Sequence, residues 1–111
     1  MIIKKPWGHE ELIEINKRFM FKKLFMKKGH QCSLQYHNKK KESVYVLSGK
    51  LQVTVIKNKK RRVKILTKGQ NILIKPKEIH RMKAKSNCFY LEASTPEIKD
   101  VVRLKDDYKR I

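Results

Sequence analysis

An all-β barrel or sandwich is the fold this chain predicts, on three observations. Apolar residues recur with a period of two, as where Leu51, Val53 and Val55 alternate with Gln52 and Thr54. The runs that carry this alternation are short. Turn-forming residues fall between them. Successive side chains of a strand leave opposite faces, so period two marks one buried and one solvated face.

In chain order the predicted strands cover Leu12–Ile15, Phe19–Met26, Cys32–His37, Ser43–Leu47, Leu51–Val55, Val63–Leu66, Ile72–Ile74, His80–Ala84 and Cys88–Ala93. Lys28-Gly29, Asn38-Lys39, Ser48-Gly49, Lys57-Asn58-Lys59, Lys68-Gly69-Gln70, Pro76-Lys77 and Ser86-Asn87 supply the turns. Strands this short and this evenly spaced belong to sandwiches and barrels. Thr95-Pro96-Glu97 breaks the last run. Beyond it, Asp100 to Ile111 mixes charges with Val101, Val102, Leu104 and Tyr108, which predicts a segment packed across the barrel with a helical turn.

The length of 111 residues fits one domain, residues 1–111, with no linker or repeat inside it. The apolar share of 40% is enough for a small barrel. The formal net charge is +19, from 29 Lys and Arg against 10 Asp and Glu. Such a field concentrates any anion, whether nucleic acid, acidic lipid or phosphorylated metabolite. The basic residues are spread along the whole chain, however, as expected of a lysine-rich solvated surface. Specific nucleic-acid binding calls for cations interleaved with exposed aromatics, and Trp7 and Phe19 make no such stripe. Lys57 to Arg62 lies between two strand-like runs and reads as a solvated hairpin tip, with a phosphate-contacting loop as the alternative.

Cys32 and Cys88 sit inside apolar runs without a CxxC or Cys/His cluster, so buried reduced thiols are expected. The first residues lack the apolar core of a secretion signal, and runs such as Val44 to Leu47 are too short to cross a bilayer. A cytoplasmic location with no membrane association is the resulting expectation.

Four residues can converge on chemistry. Gln35 and His37 stand two apart in a strand and leave the same face. Glu42 opens the next strand after the polar loop Asn38 to Lys41, and His80 begins a later one. One amide oxygen, two imidazoles and a carboxylate form a mixed N/O set suited to a divalent metal, Zn foremost, with Mn, Fe, Ni or Co as others.

The spacing Gly29, Gln35, His37, Glu42, Gly49 resembles the first cupin motif, with Gln35 at its first histidine. Gly69 and His80 resemble the second motif, in which Lys75, Lys77 and Ala84 replace the usual proline, glycine and asparagine. A closer likeness runs the length of the chain. Lys5-Pro6-Trp7-Gly8, Ser33-Leu34-Gln35-Tyr36-His37, Ile79-His80-Arg81-Met82 and Asp100 to Arg110 are similar to the isomerase domain that ends bifunctional (type II) mannose-6-phosphate isomerase/mannose-1-phosphate guanylyltransferases. Lys109 stands where that closing signature has a glycine.

The resemblance implies a cupin, a jelly-roll barrel or double-stranded β-helix, present as the isomerase domain alone. It also implies a metal held by Gln35, His37, Glu42 and His80, a phosphorylated or nucleotide-linked sugar as substrate, and a homodimer joined through edge strands. Aldose–ketose isomerisation needs a base, for which Glu92, Glu10 and Lys85 are the candidates. Lys22, Lys23, Lys41, Arg81 and Arg103 are candidates to hold the phosphate, the arginines by bidentate contact. Trp7 fits either the substrate mouth or a staple over the barrel end, and Tyr36 should face away from the site. The rival readings are a metal-binding cupin without catalysis, such as a sugar sensor or an accessory protein in polysaccharide synthesis, and, on charge alone, a nucleic-acid-binding barrel.

Overall fold

A computed structural model describes residues 1–111. The chain forms eleven strands and no helix: β1 (Ile2–Lys5), β2 (Gly8–Ile15), β3 (Met20–Met26), β4 (Leu34–Tyr36), β5 (Glu42–Ser48), β6 (Leu51–Lys57), β7 (Lys60–Leu66), β8 (Asn71–Ile74), β9 (Ile79–Ala84), β10 (Cys88–Ser94) and β11 (Val102–Lys105). No helix is therefore long and apolar enough to cross a membrane. Two antiparallel sheets result, ordered β1-β2-β3-β10-β5-β8 and β11-β4-β9-β6-β7. Each predicted run lies in or overlaps one of β2 to β10.

The tail corrects one expectation. In place of a helical turn it forms β11, which pairs with β4 and sets Val102 opposite Tyr36 and Arg103 opposite Gln35. The reason is local. The outer edge of β4 presents unpaired backbone groups, and the Val101-Val102-Arg103-Leu104 stretch carries β-branched residues able to satisfy them.

On β3, β5, β9 and β10 the buried positions are the even-numbered residues. At one end of these strands they are apolar: Leu24 and Met26, Val44 and Val46, Met82 and Ala84, Cys88 and Tyr90. These join Leu51, Val53, Leu66, Ile74 and Trp7 in one core. At the other end the same inward row turns polar, with Lys22, Glu42, His80 and Glu92 all buried. Antiparallel register gathers them, since Glu92 faces Lys22 on one side of β10 and Ser94 faces Glu42 on the other. Burying polar groups costs free energy unless each finds a partner, so this layer must hold a network.

Two backbone positions explain motif residues. Gly49 has φ +85°, and a Cβ there would lie 2.2 Å from the Asn87 carbonyl oxygen, so the motif needs glycine. Lys77, at the other motif's glycine, still adopts the left-handed form with φ 68°. Its N–H donates to the His37 carbonyl at 2.6 Å, tying that turn to the site. Cys32 and Cys88 are free thiols; Cys88 is buried as expected, whereas Cys32 is half-buried.

Candidate metal centre and pocket

The loop after β4 places His37. Asp100, just before β11, accepts N–H bonds on its carboxylate from Asn38, Lys39 and Lys40 at 3.2, 2.7 and 2.9 Å. Those loop donors, chiefly Lys39 and Lys40, hold the Asp100 carboxyl below its ordinary range. Its own carbonyl accepts from His37 Nδ1 at 2.8 Å. His80 Nδ1 likewise donates to the Glu78 carbonyl at 2.8 Å. A carbonyl can only accept, so each ring carries its proton on Nδ1 and turns Nε2 inward.

Both Nε2 atoms lie 3.3 Å from Glu42 Oε1. Both are buried without a hydrogen-bond partner. Ligating atoms of His37, Glu42 and His80 all fall within 4.8 Å of one another. Two lone pairs and a carboxylate facing each other repel unless positive charge comes between them. Two protons would supply it, making both rings imidazolium, and so would one divalent cation. Burial raises the Glu42 carboxyl, but the two imidazoles and Lys40 more than offset this and hold it well below the usual range. The donor set, with both rings oriented by backbone carbonyls, fits a borderline divalent metal. Gln35 sits opposite His80 in register, lines the same pocket, and accepts from Ser33 Oγ at 2.6 Å.

Behind the cluster lies a buried ion network. Lys40 Nζ is 3.6 Å from Glu42 Oε2 and 2.8 Å from Glu92 Oε2. Burial, then the nearby Glu42 charge, pushes Glu92 up to about 8, with Lys40 opposing. The pocket extends past this network to a volume of about 150 Å³. Its walls carry Lys5, Lys22, Arg103 and Arg110. Lys22 pairs with Glu10 at 3.0 Å. Burial lowers Lys5, Glu10 opposes this, and the cations Lys22, Arg103 and Arg110 lower it further. Arg103 Nε is buried with no partner. Lys22 and Arg110 are thus paired, with Glu10 and Asp106, whereas Lys5 and Arg103 make no ion pair.

Of the residues singled out from sequence, Gln35, His37, Glu42, His80, Glu92, Glu10, Lys22 and Arg103 line this pocket. Lys23, Lys41, Arg81 and Lys85 do not, and strand parity is the reason for the first three. Lys23 follows inward Lys22 and lies over the Phe89 ring at 5.4 Å. Lys41 precedes inward Glu42 and is exposed. Arg81 follows His80 and is held by the carbonyls of Cys32 and Lys105 at 3.0 and 3.2 Å, stitching β9 to the tail. Lys85 is exposed beyond the end of β9. Trp7 is buried in the core and also lines the pocket; Tyr36 lies outside it. Lys40, Asp100, Lys5 and Arg110 were not found by reading the sequence. Lys40 hides within Lys39-Lys40-Lys41, and its only signal is its place two residues before Glu42.

Residues 1–106 match the family described as Mannose-6-phosphate isomerase C-terminal. The chain is 32% identical over 114 residues to the xanthan biosynthesis protein XanB of Xanthomonas campestris, covering 96% of this chain and 23% of that protein. It is 30% identical over 112 residues to the mannose-1-phosphate guanylyltransferase ManC of Salmonella typhimurium, covering 96% and 22%. The chain thus spans about a quarter of the length of these curated relatives. Among solved structures, the capsular polysaccharide assembling protein CapF of Staphylococcus aureus superposes with TM-score 0.82 at 15% identity, over 95% of this chain and 34% of that one. An RmlC-like cupin from Shewanella frigidimarina does so with TM-score 0.76 at 19% identity, over 89% and 86%. These likenesses establish the cupin fold.

Proposed function

Since the chain belongs to the mannose-6-phosphate isomerase C-terminal family, we propose that it is a metal-dependent isomerase of a phosphorylated or nucleotide-linked sugar. One divalent metal, Zn foremost, would be held by Gln35, His37, Glu42 and His80. The observation that carries this reading is the pair of buried, partnerless Nε2 atoms facing Glu42 beside a cation-walled pocket. When bound, such a metal supplies Lewis acidity to a sugar oxygen.

The remaining work falls to side chains. Arg103 and Lys22 hold the phosphate, and Arg103 brings an Nε–H with no other partner. Trp7, Leu24, Met82 and Tyr90 limit water in the pocket. Glu92 and Glu10 are the carboxyls placed to move a proton, and Glu92, raised to about 8, can hold one at neutral pH. Two copies pairing through an edge strand, in the cytoplasm, belong to the same reading.

One observation favours a second reading, a metal-binding cupin without catalysis. Glu92 is tied to Lys40 at 2.8 Å, which competes with its acting as a base.

Elemental analysis of untagged protein decides the metal, and turnover decides between the readings. About one equivalent of divalent metal is expected, and His37→Ala should abolish it; full occupancy in that variant sinks the site. Loaded protein should interconvert mannose 6-phosphate and fructose 6-phosphate or a close relative. Arg103→Ala should chiefly raise KM. No turnover on a panel of sugar phosphates and nucleotide sugars, with metal verified, leaves the second reading.

A further inference from the structure

The basic stretch Lys57 to Arg62 takes no part in that pocket. It builds the β6–β7 hairpin, whose inward face carries cations where neighbouring strands carry apolar residues. Register sets Leu66 opposite Leu51, Lys64 opposite Val53, Arg62 opposite Val55 and Lys60 opposite Lys57. Two of the three apolar residues of β7, Val63 and Ile65, are instead on the other face and exposed, at 51% and 44%. Since faces alternate, β7 is inverted along most of its length. The inverted face lines a groove of about 540 Å³. It lies at the seam where β7 ends one sheet and β8 ends the other. Lys57, Lys60, Arg62 and Lys64 wall the groove, over a floor of Val53, Val55 and Ile72. None of the four cations makes an ion pair. The one carboxylate present, Glu78, accepts from the Lys75 N–H.

We propose that this seam groove is a second ligand site, which takes a molecule bearing two or more phosphate charges and an apolar or aromatic part, of the nucleoside diphosphate kind. Alternate residues of a strand stand about 7 Å apart, so Lys60, Arg62 and Lys64 form a row of like charges that repel until an anion bridges them. Ammonium and guanidinium groups give charge-assisted bonds to phosphate oxygens, and the aliphatic floor receives the uncharged part. The volume lies within the range of roughly 300–1,000 Å³ typical of small-molecule sites. Inward-facing charge also protects an open sheet edge from pairing. That role needs no cavity and is met by one lysine, not four cations around an apolar floor. The groove shares no lining residue with the sugar pocket.

Calorimetric titration of the full chain with pyrophosphate and with ADP tests this. One saturable site is expected, tighter for ADP and weaker as salt rises. K60Q/R62Q/K64Q should weaken both probes about tenfold or more. K17Q/R18Q/K27Q, which removes equal charge from exposed positions elsewhere, should leave both within about twofold. ADP should also shift the amide resonances of Val55 and Ile72 in the unaltered chain, a readout that depends on no variant. Arg103→Ala should not affect either probe, and mannose 6-phosphate should not compete, which separates this test from that of the isomerase reading. Binding that never saturates, equal loss in the two triple variants, or displacement by mannose 6-phosphate overturns the proposal.

Discussion

Most cations of the pocket meet carboxylates, whereas in the seam groove they meet one another. Lys40 is buried between Glu42 and Glu92, and Lys22 reaches Glu10. Lys57, Lys60, Arg62 and Lys64 are exposed and unpaired. Both regions depart from the rule that inward positions are apolar, and the departure marks a place where the fold leaves room for something else. Burial then decides the energetics. A desolvated charge is tied to its partner and cannot be removed cheaply, while a wetted one can.

Lys40→Met should produce the largest stability effect. Removing the cation leaves two carboxyls buried, and breaking such a pair costs about 3–5 kcal/mol. The lower end is expected, because Glu92 at about 8 already carries a proton near neutrality. K60Q/R62Q/K64Q should stay within about 0.5 kcal/mol of the parent, or gain slightly from relieved repulsion. Urea unfolding of chelator-treated protein measures both. A Lys40→Met loss below about 1 kcal/mol, comparable with the groove variant, would erase the contrast between the two regions.

A middle effect is expected at the latch that brings Arg110 to the pocket, for which the groove has no counterpart. Asp106 accepts from Arg110 Nε and Nη2 at 2.8 and 2.9 Å and from its backbone N–H at 2.8 Å. These bonds, the guanidinium first, push the Asp106 carboxyl down to about 2. A depressed carboxyl stabilises the fold fully above its unfolded value, about 4, and loses that contribution as pH falls towards 2. Asp106→Asn should cost about 1–2 kcal/mol at neutral pH and flatten the stability profile between about pH 4 and 2. An unchanged slope in acid unfolding scans would show that the tail is held by other contacts, such as Gln31 to Asp107 at 2.8 Å.

Much of this was readable from period two and motif spacing. The nine middle strands and the convergence of His37, Glu42 and His80 follow from alternation and from hairpins that return the chain beside itself. Strand parity also carried information against Lys23, Lys41 and Arg81, each next to an inward residue and so turned outward. Two things could not be read. β1 and β11 exist through pairing with β2 and β4, a tertiary fact that four-residue runs do not signal. The role of Asp100 depends on a loop 60 to 62 positions away, at Asn38 to Lys40, folding over its carboxylate. Lys40 and Lys60 look alike in a lysine-rich chain. Only burial and the nearest carboxylate tell them apart.

The smallest expected effect concerns two turns, one beside each region. Lys77 next to the candidate metal centre and Lys59 in the β6–β7 turn both hold the left-handed conformation, with φ 68° and 63°. A side chain there costs about 1–2 kcal/mol through crowding of Cβ against the following carbonyl. Glycine removes that cost but returns part of it, because it has more freedom to lose on folding. The net gain for Lys77→Gly should therefore be about 0.5 kcal/mol, a rise in Tm of about 2–4 °C for a domain near this size. The same gain is expected for Lys59→Gly. Metal affinity should not change in either variant, since the bond from residue 77 to the His37 carbonyl comes from the backbone N–H, which glycine keeps. Calorimetric melting with and without metal reads both quantities. A lower Tm for Lys77→Gly alone would show that its side chain, unlike that of Lys59, adds stability of its own beside the pocket.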